Sequence, residues 1–249
     1  MKYFTSEETK NSGRTELQSH YKGYVGRNLQ RGFAARLVKR AASELISLPV
    51  EQIKLLDYGA ASGVFFRQLK DLGFTNFYGL DIDDYLDEES RPLIKELKTA
   101  DCNIDKLPWP DNTFDVITAW CLLPHLENPH HCVRETLRIL KPGGLFILSI
   151  PHLLSRASLD YFSKHEDFAR YHPEKNHISV FTPGVFKLTV LKYFEPVRME
   201  YLIDERSFAG LKGSIRKLIL RSIKRIPVLR NYFEKLWGYN QIWILRKPK

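Results

Sequence analysis

The chain has 249 residues, 43% hydrophobic and 12% aromatic, enough to bury one substantial core and to exclude global disorder. Its net charge of +9 points to an anionic neighbour (nucleic acid, a phosphorylated metabolite or an acidic membrane face) without choosing among them. Three cysteines, Cys102, Cys121 and Cys132, lack CxxC spacing and fit reduced thiols of a cytoplasmic protein better than a disulfide framework or a zinc site.

The N-terminus, MKYFTSEETKNSGR, is polar and carries no signal-peptide pattern, and no later segment approaches the roughly 20 apolar residues that span a bilayer. Any membrane contact is therefore expected to be peripheral. From Thr15 to about Leu48, residues Leu29, Phe33, Leu37, Ala41 and Leu45 recur every four positions and Pro49 closes the run, predicting an N-terminal helical cap over 1–50. Within it Tyr21, Tyr24, Arg27 and Arg31 read either as a lid over a ligand or as part of a helix packed on a sheet edge.

Residues 51–249 then read as one α/β domain. KLLDYGA precedes a helix to Leu72, FYGLDI a helix through Leu97, and after a short TADCN come FDVITAW, the helix NPHHCVRETLRILK and the strand GGLFILSI. Pro142, Gly143 and Gly144 stop the helix ending at Lys141. A histidine-rich insertion over 152–180 is followed by a helix near Pro183 to Tyr193 and a strand near Glu195 to Ile203. A basic insertion over 207–239 precedes a last strand, NQIWILRK. It sets Leu211, Ile215, Leu218, Ile219, Ile223 and Ile226 on one arc and Arg216, Lys217, Arg221, Lys224 and Arg225 largely on the other. That is the pattern of a basic interfacial helix, or of an amphipathic helix packed on the domain with its basic face in water.

The chemistry is carried by LLDYGAASGVF, which places Gly59 and Gly63 between an apolar strand and a helix, so that backbone can approach a ligand. FYGLDID then ends a second strand on Asp81, at the interval where a Rossmann unit sets an acid against ribose hydroxyls. Val64 replaces the third glycine of a dinucleotide loop and Ala61 the central one, favouring a phosphate-free nucleoside over a pyrophosphate.

Together LLDYGAASG, GLDID, ADCNIDKLPWPDNTFDVI and LRILKPGGLFILSIP resemble the class I, seven-stranded, Rossmann-like S-adenosylmethionine-dependent methyltransferases, especially the type 11 small-molecule group. The resemblance covers about Ile53 to Pro151 and implies a mostly parallel sheet with helices on both faces. It assigns Asp57, Gly59, Ala60 and Gly63 to the methionine part of S-adenosylmethionine, Asp81 to the ribose diol with Ile82 against adenine, and Asp101 with Cys102 to the adenine end. Asp101 reads alternatively as a solvated strand-end carboxylate. Trp120 and Leu122 are expected at the methionine end, and His125 matches a frequent family histidine, although Pro124 stands where the family's glutamate would be.

Methyl transfer needs alignment and, for a hydroxyl acceptor, a base; His125 and His152 are the candidates, with a core role for His125 an equal alternative. His165, His172 and His177 match no tight metal-ligand spacing, and no metal is expected. The resemblance favours a small-molecule or glycan acceptor, a sugar hydroxyl first, and the interfacial reading of the basic helix would bring a lipid-linked or phosphorylated acceptor and peripheral contact to an anionic membrane from the cytoplasm. An RNA methyltransferase and a noncatalytic binding protein on the same fold are the competing readings.

Overall fold

The computed structural model describes residues 32–171, 176–203, 210–223 and 226–249. Its first helix, α1 (Phe33–Leu45), starts where the four-residue apolar repeat enters the described range, and it buries Leu37 and Ala41 together with Ala34, Ala35, Val38 and Ala42. Tyr21, Tyr24, Arg27, Arg31 and His172 lie outside the described residues.

A single seven-stranded sheet follows, in the order β3-β2-β1-β4-β5-β7-β6. Strands β1 (Lys54–Tyr58), β2 (Asn76–Asp81), β3 (Ile94–Thr99), β4 (Phe114–Trp120) and β5 (Leu140–Pro151) pair in parallel. β7 (Gly238–Arg246) runs antiparallel between β5 and β6 (Glu195–Ile203). This is the expected mostly parallel Rossmann-like sheet. β1 and β4 are buried almost throughout, as central parallel strands covered on both faces must be.

Two apolar layers cover the sheet. On one face Phe65, Phe66 and Leu69 of α2 (Val64–Lys70) and the apolar side of α1 pack against Leu55, Phe77, Val116 and Ile147. On the other, Cys132, Val133 and Ile139 of α3 (Pro129–Ile139) pack with Phe186 and Val190 against Leu56, Ile117 and Phe146. Each such side chain removed from water is worth about 1.5–3 kcal/mol. α3 begins where Asn128 caps it by accepting from the His131 N–H, with Pro129 at its first position. α4 (Arg156–His165) lies in the histidine-rich insertion, and α5 (Pro183–Phe186) continues into a π-helical stretch, Lys187–Leu191. α6 (Gly210–Ser222) and α7 (Pro227–Trp237) connect β6 to β7.

One expected element is absent. The helix expected through Leu97 is an irregular segment, a 3₁₀ turn at Arg91–Leu93 and then β3. Side-chain bonds hold this segment out of helical geometry: Asp87 takes both carboxylate oxygens to the Arg67 guanidinium at 2.6 and 2.7 Å, and Asp84 does the same with Arg91. IKELKT is strongly charged because β3 is a sheet edge, where charge protects against further pairing. The helix expected to reach Lys141 ends at Ile139 instead. The strand starts at Leu140, and Lys141 to Gly144 form an irregularity between the pairs Phe114–Leu140 and Val116–Leu145.

Candidate nucleoside and methyl-transfer site

β1 is the strand from which the chain first builds outward through β2 to β3 and then reverses to β4 and β5. Ligands of open α/β sheets bind at the carboxyl ends of strands flanking such a reversal. Here those ends carry the Gly59–Gly63 loop after β1, Asp81 at the end of β2 and Trp120 at the end of β4.

The loop is a tight backbone structure. Gly59 and Ala60 both donate to the Leu80 carbonyl, Gly63 donates to Ala60, and Gly59 (φ +70°), Ala61 (φ +48°) and Gly63 (φ +82°) are left-handed. Gly63 is required twice over: its φ is one that side chains rarely adopt, and a Cβ there would lie 2.4 Å from Ser90 Cβ. Gly59, by contrast, faces an open side, a Cβ meeting only Leu122 Cδ1 at 3.7 Å. Ala61 holds its strained conformation because its N–H donates to Asp81 Oδ2 at 2.8 Å. Ala61→Gly is therefore expected to raise stability by about 1 kcal/mol, read as a higher unfolding midpoint with unchanged ligand binding.

The bond from Ala61 to Asp81 joins the two strand ends that the sequence places together. Asp81 Oδ1 also accepts from the Ile82 N–H at 2.8 Å. Burial pushes the Asp81 carboxyl up to about 6, against the lowering effect of these two backbone N–H groups. Each carboxylate oxygen has a second lone pair, so hydroxyl donors can still be accepted. Asp57, one strand over, is fully buried and accepts from the Thr118 hydroxyl at 2.5 Å. Burial first, and then the nearby Asp81, drive its carboxyl well above the usual range, with Thr118 pulling the other way. Asp57 thus bridges β1 to β4 through Thr118.

Ala60 is buried, and a Cβ on Gly79 would lie 3.2 Å from its own, so Ala60 is the floor between β1 and β2. Asp101 Oδ1 accepts from the backbone and side-chain nitrogens of Asn103, both at 2.9 Å, which makes it a turn cap at the end of β3. Cys102 packs against the layer that holds α3, and its thiol is raised by hydrogen bonding with Cys132, by burial, and by the charges of Asp81 and Asp101. Trp120 packs edge-on against Phe65, and its indole N–H is buried without a hydrogen-bond acceptor among the described residues. Such a donor is costly unless something meets it.

The two candidate bases differ. His125 lies one 3₁₀ turn beyond Leu122, whose carbonyl receives the His125 N–H. Its ring Nδ1 is 2.9 Å from the Asn176 backbone carbonyl, which can only accept, so Nδ1 donates to it. His177 packs edge-on against this ring at 4.5 Å. His152 is 3% exposed; its Nε2 faces the Lys235 carbonyl at 3.0 Å and its Nδ1 faces the Gln241 amide at 3.0 Å. Both nitrogens are thereby engaged, burial lowers its pKa, and it ties β5 to α7 and β7. Arg170, which the sequence reading did not single out, lies over the Tyr239 ring at 4.4 Å and donates to Asn240 Oδ1 at 2.6 Å and to Cys121 Sγ at 3.6 Å. Its partners are 49 and 70 residues away, and no local pattern announces them.

Sheet order, glycine loop and strand-end acid together define a class I Rossmann-like methyltransferase fold. Residues 56–148 match the family model described as a methyltransferase domain. A ubiquinone/menaquinone biosynthesis C-methyltransferase of Ruegeria is 33% identical over 108 residues, covering 40% of this chain and 43% of that protein. The chain thus spans less than half the length of this relative. An uncharacterized protein of Methanocaldococcus jannaschii is 29% identical over 191 residues, 68% of this chain and 78% of that one. Among solved structures, an S-adenosylmethionine-dependent methyltransferase from Mesorhizobium loti shares the fold at a TM-score of 0.52 and 18% identity, covering 84% of this chain and 96% of that one.

Proposed function

We propose that the chain binds S-adenosylmethionine across the ends of β1 and β2 and transfers its methyl group to a hydroxyl-bearing small molecule. The observation that carries this reading is the Asp81 carboxylate closing on the Ala61 N–H beside a glycine loop that is open at Gly59. A nucleoside without phosphates suits that cradle: Asp81 accepts its ribose hydroxyls, Ile82 and Cys102 flank its base, and Gly59, Leu122 and the Trp120 indole N–H receive the amino-acid end. The cofactor supplies an electrophilic methyl on a positively charged sulfur.

What remains for the protein is alignment and a proton. His125 takes the acceptor's hydroxyl proton on Nε2 while the Asn176 carbonyl holds the ring in that tautomer. The deprotonated group delivers its electron pair from oxygen, or from a carbon conjugated to it. The second route matches the C-methylation named for the Ruegeria protein. The sugar hydroxyl expected from the sequence is one member of this wider class and has no support from the relatives compared.

Calorimetry with S-adenosylmethionine tests the cradle, and transfer of labelled methyl from it into small-molecule extract identifies the acceptor. His125→Ala is expected to lower kcat about 10²-fold with cofactor affinity unchanged. His152→Gln should leave kcat within about threefold and lower the unfolding midpoint through a lost buried hydrogen bond. Equal kcat for wild type and His125→Ala removes the base assignment, and failure to bind S-adenosylmethionine removes the whole reading.

A further inference from the structure

Much of the apolar arc of the α6–α7 segment is exposed among the described residues, with Ile219 and Ile223 half-buried. Leu211 is 80% exposed, Leu218 64% and Val228 79%, and Ile215, Ile226, Leu229 and Tyr232 are exposed as well. Several of the segment's aliphatic side chains thus face water. Helix pairs in a folded domain ordinarily bury such a stripe.

The same stretch is strongly basic, with Glu234 of α7 its one acid, paired to Arg230 at 2.7 Å. From Ser207 to Phe233 there are seven lysines and arginines (Lys212, Arg216, Lys217, Arg221, Lys224, Arg225 and Arg230) and no acid. Lys217 is exposed between Ile215 and Leu218, and Arg216 lies over the Trp237 ring at 5.6 Å. Exposed aliphatic side chains interleaved with cations fit a surface that is both oily and negative. Nucleic acid would use the cations but offers nothing to leucine and valine, and a second copy of this chain would oppose like charges.

The position of the segment adds a direction. β6 ends at Ile203 opposite Gly238 of β7, and Asn240 of β7 pairs with Pro151 at the carboxyl end of β5. The helices therefore hang from the same sheet edge as the Gly59 loop and Trp120. α4, which packs on α7, adds exposed Leu159 and Phe162 on that side.

We infer that α6 and α7 are a docking surface for an anionic lipid bilayer, which holds the acceptor side of the domain toward the membrane. The contact is peripheral, since no described helix is long and apolar enough to cross one. The inference stands apart from methyl transfer, because it rests on exposure and charge alone.

The test is co-sedimentation of the full chain with phosphatidylcholine vesicles with and without phosphatidylglycerol. Binding is expected only with phosphatidylglycerol, weakening as salt is raised, and falling at least about tenfold in Leu218→Glu and in Val228→Glu. Both side chains are exposed, so both variants should keep the wild-type unfolding midpoint and S-adenosylmethionine affinity. Equal binding to neutral vesicles, undiminished binding by both variants, or a doubled mass in light scattering that the variants abolish would each overturn the inference. So would RNA binding that displaces the vesicles and is indifferent to Leu218→Glu. Loss of S-adenosylmethionine binding in the wild type would remove the proposed reaction but leave this result standing.

Discussion

Asp81→Asn is expected to weaken S-adenosylmethionine binding about 10²-fold, with the domain still folded. The carboxylate fastens the loop through Ala61 and, in the proposed complex, accepts two ribose hydroxyls. An amide presents one acceptor oxygen where two are needed, and its NH₂ then faces either Ala61 N–H or Ile82 N–H. Two charge-assisted hydrogen bonds lost or inverted are worth about 1.5–3 kcal/mol each, so about 10²-fold is the lower end of the effect.

The pH dependence follows from the same carboxyl, which titrates at about 6 without ligand. Hydroxyl donors favour the ionised form, so affinity should fall toward tenfold per pH unit below about 6 and be flat above it. Stability runs the other way. A carboxyl raised in the folded state above its unfolded value contributes most below the unfolded pKa, near 4, and that contribution is lost as pH rises through about 6. Binding and this part of stability should therefore oppose each other between pH 4 and 6, as calorimetry and thermal melts of wild type and Asp81→Asn would show. An affinity independent of pH over that interval would contradict the assignment of Asp81 to the ribose.

Gly63→Ala is expected to destabilise by about 2–4 kcal/mol, lowering the unfolding midpoint by on the order of 10 °C. The new Cβ falls 2.4 Å from Ser90 Cβ, 2.7 Å from its Oγ and 3.0 Å from Leu86 Cδ2. Ser90 cannot easily withdraw: it is fully buried, its hydroxyl binds Arg67 at 2.6 Å and its N–H binds Asp87 at 2.8 Å. Gly59→Ala is the control, because it shares the left-handed backbone but meets only Leu122 Cδ1 at 3.7 Å. It should cost about 1 kcal/mol in stability and act mainly on cofactor affinity. Equal midpoints for the two variants would show that the Ser90 contact carries no weight.

The loop and Asp81 were legible because both are local signals: glycines straight after an apolar strand, and an acid straight after the next. β3 was not, since IKELKT takes its conformation from pairing with β2 and from Trp109, whose indole N–H donates to Glu96. Tertiary partners decide such a segment, and periodicity does not see them. The difference between His125 and His152 was hidden for a related reason. It depends on which acceptor meets which nitrogen, and those acceptors lie 51 and 83 residues away. The basic insertion showed its two faces plainly, but a helical repeat cannot say which of them the domain covers.

The placement of β7 between β5 and β6 bears on the order in which the domain can assemble. Among the described strands β6 bonds only to β7, so residues 195–203 have no neighbour until 238–246 arrive to fill the gap. β1, β2, β4 and β5 can zip together as the chain emerges from the ribosome, whereas the outermost pair must wait for the final strand to be made. A stop codon ahead of Gly238 should accordingly leave a raw flank at Ile147 and Leu148, and a product that aggregates rather than a shorter working protein.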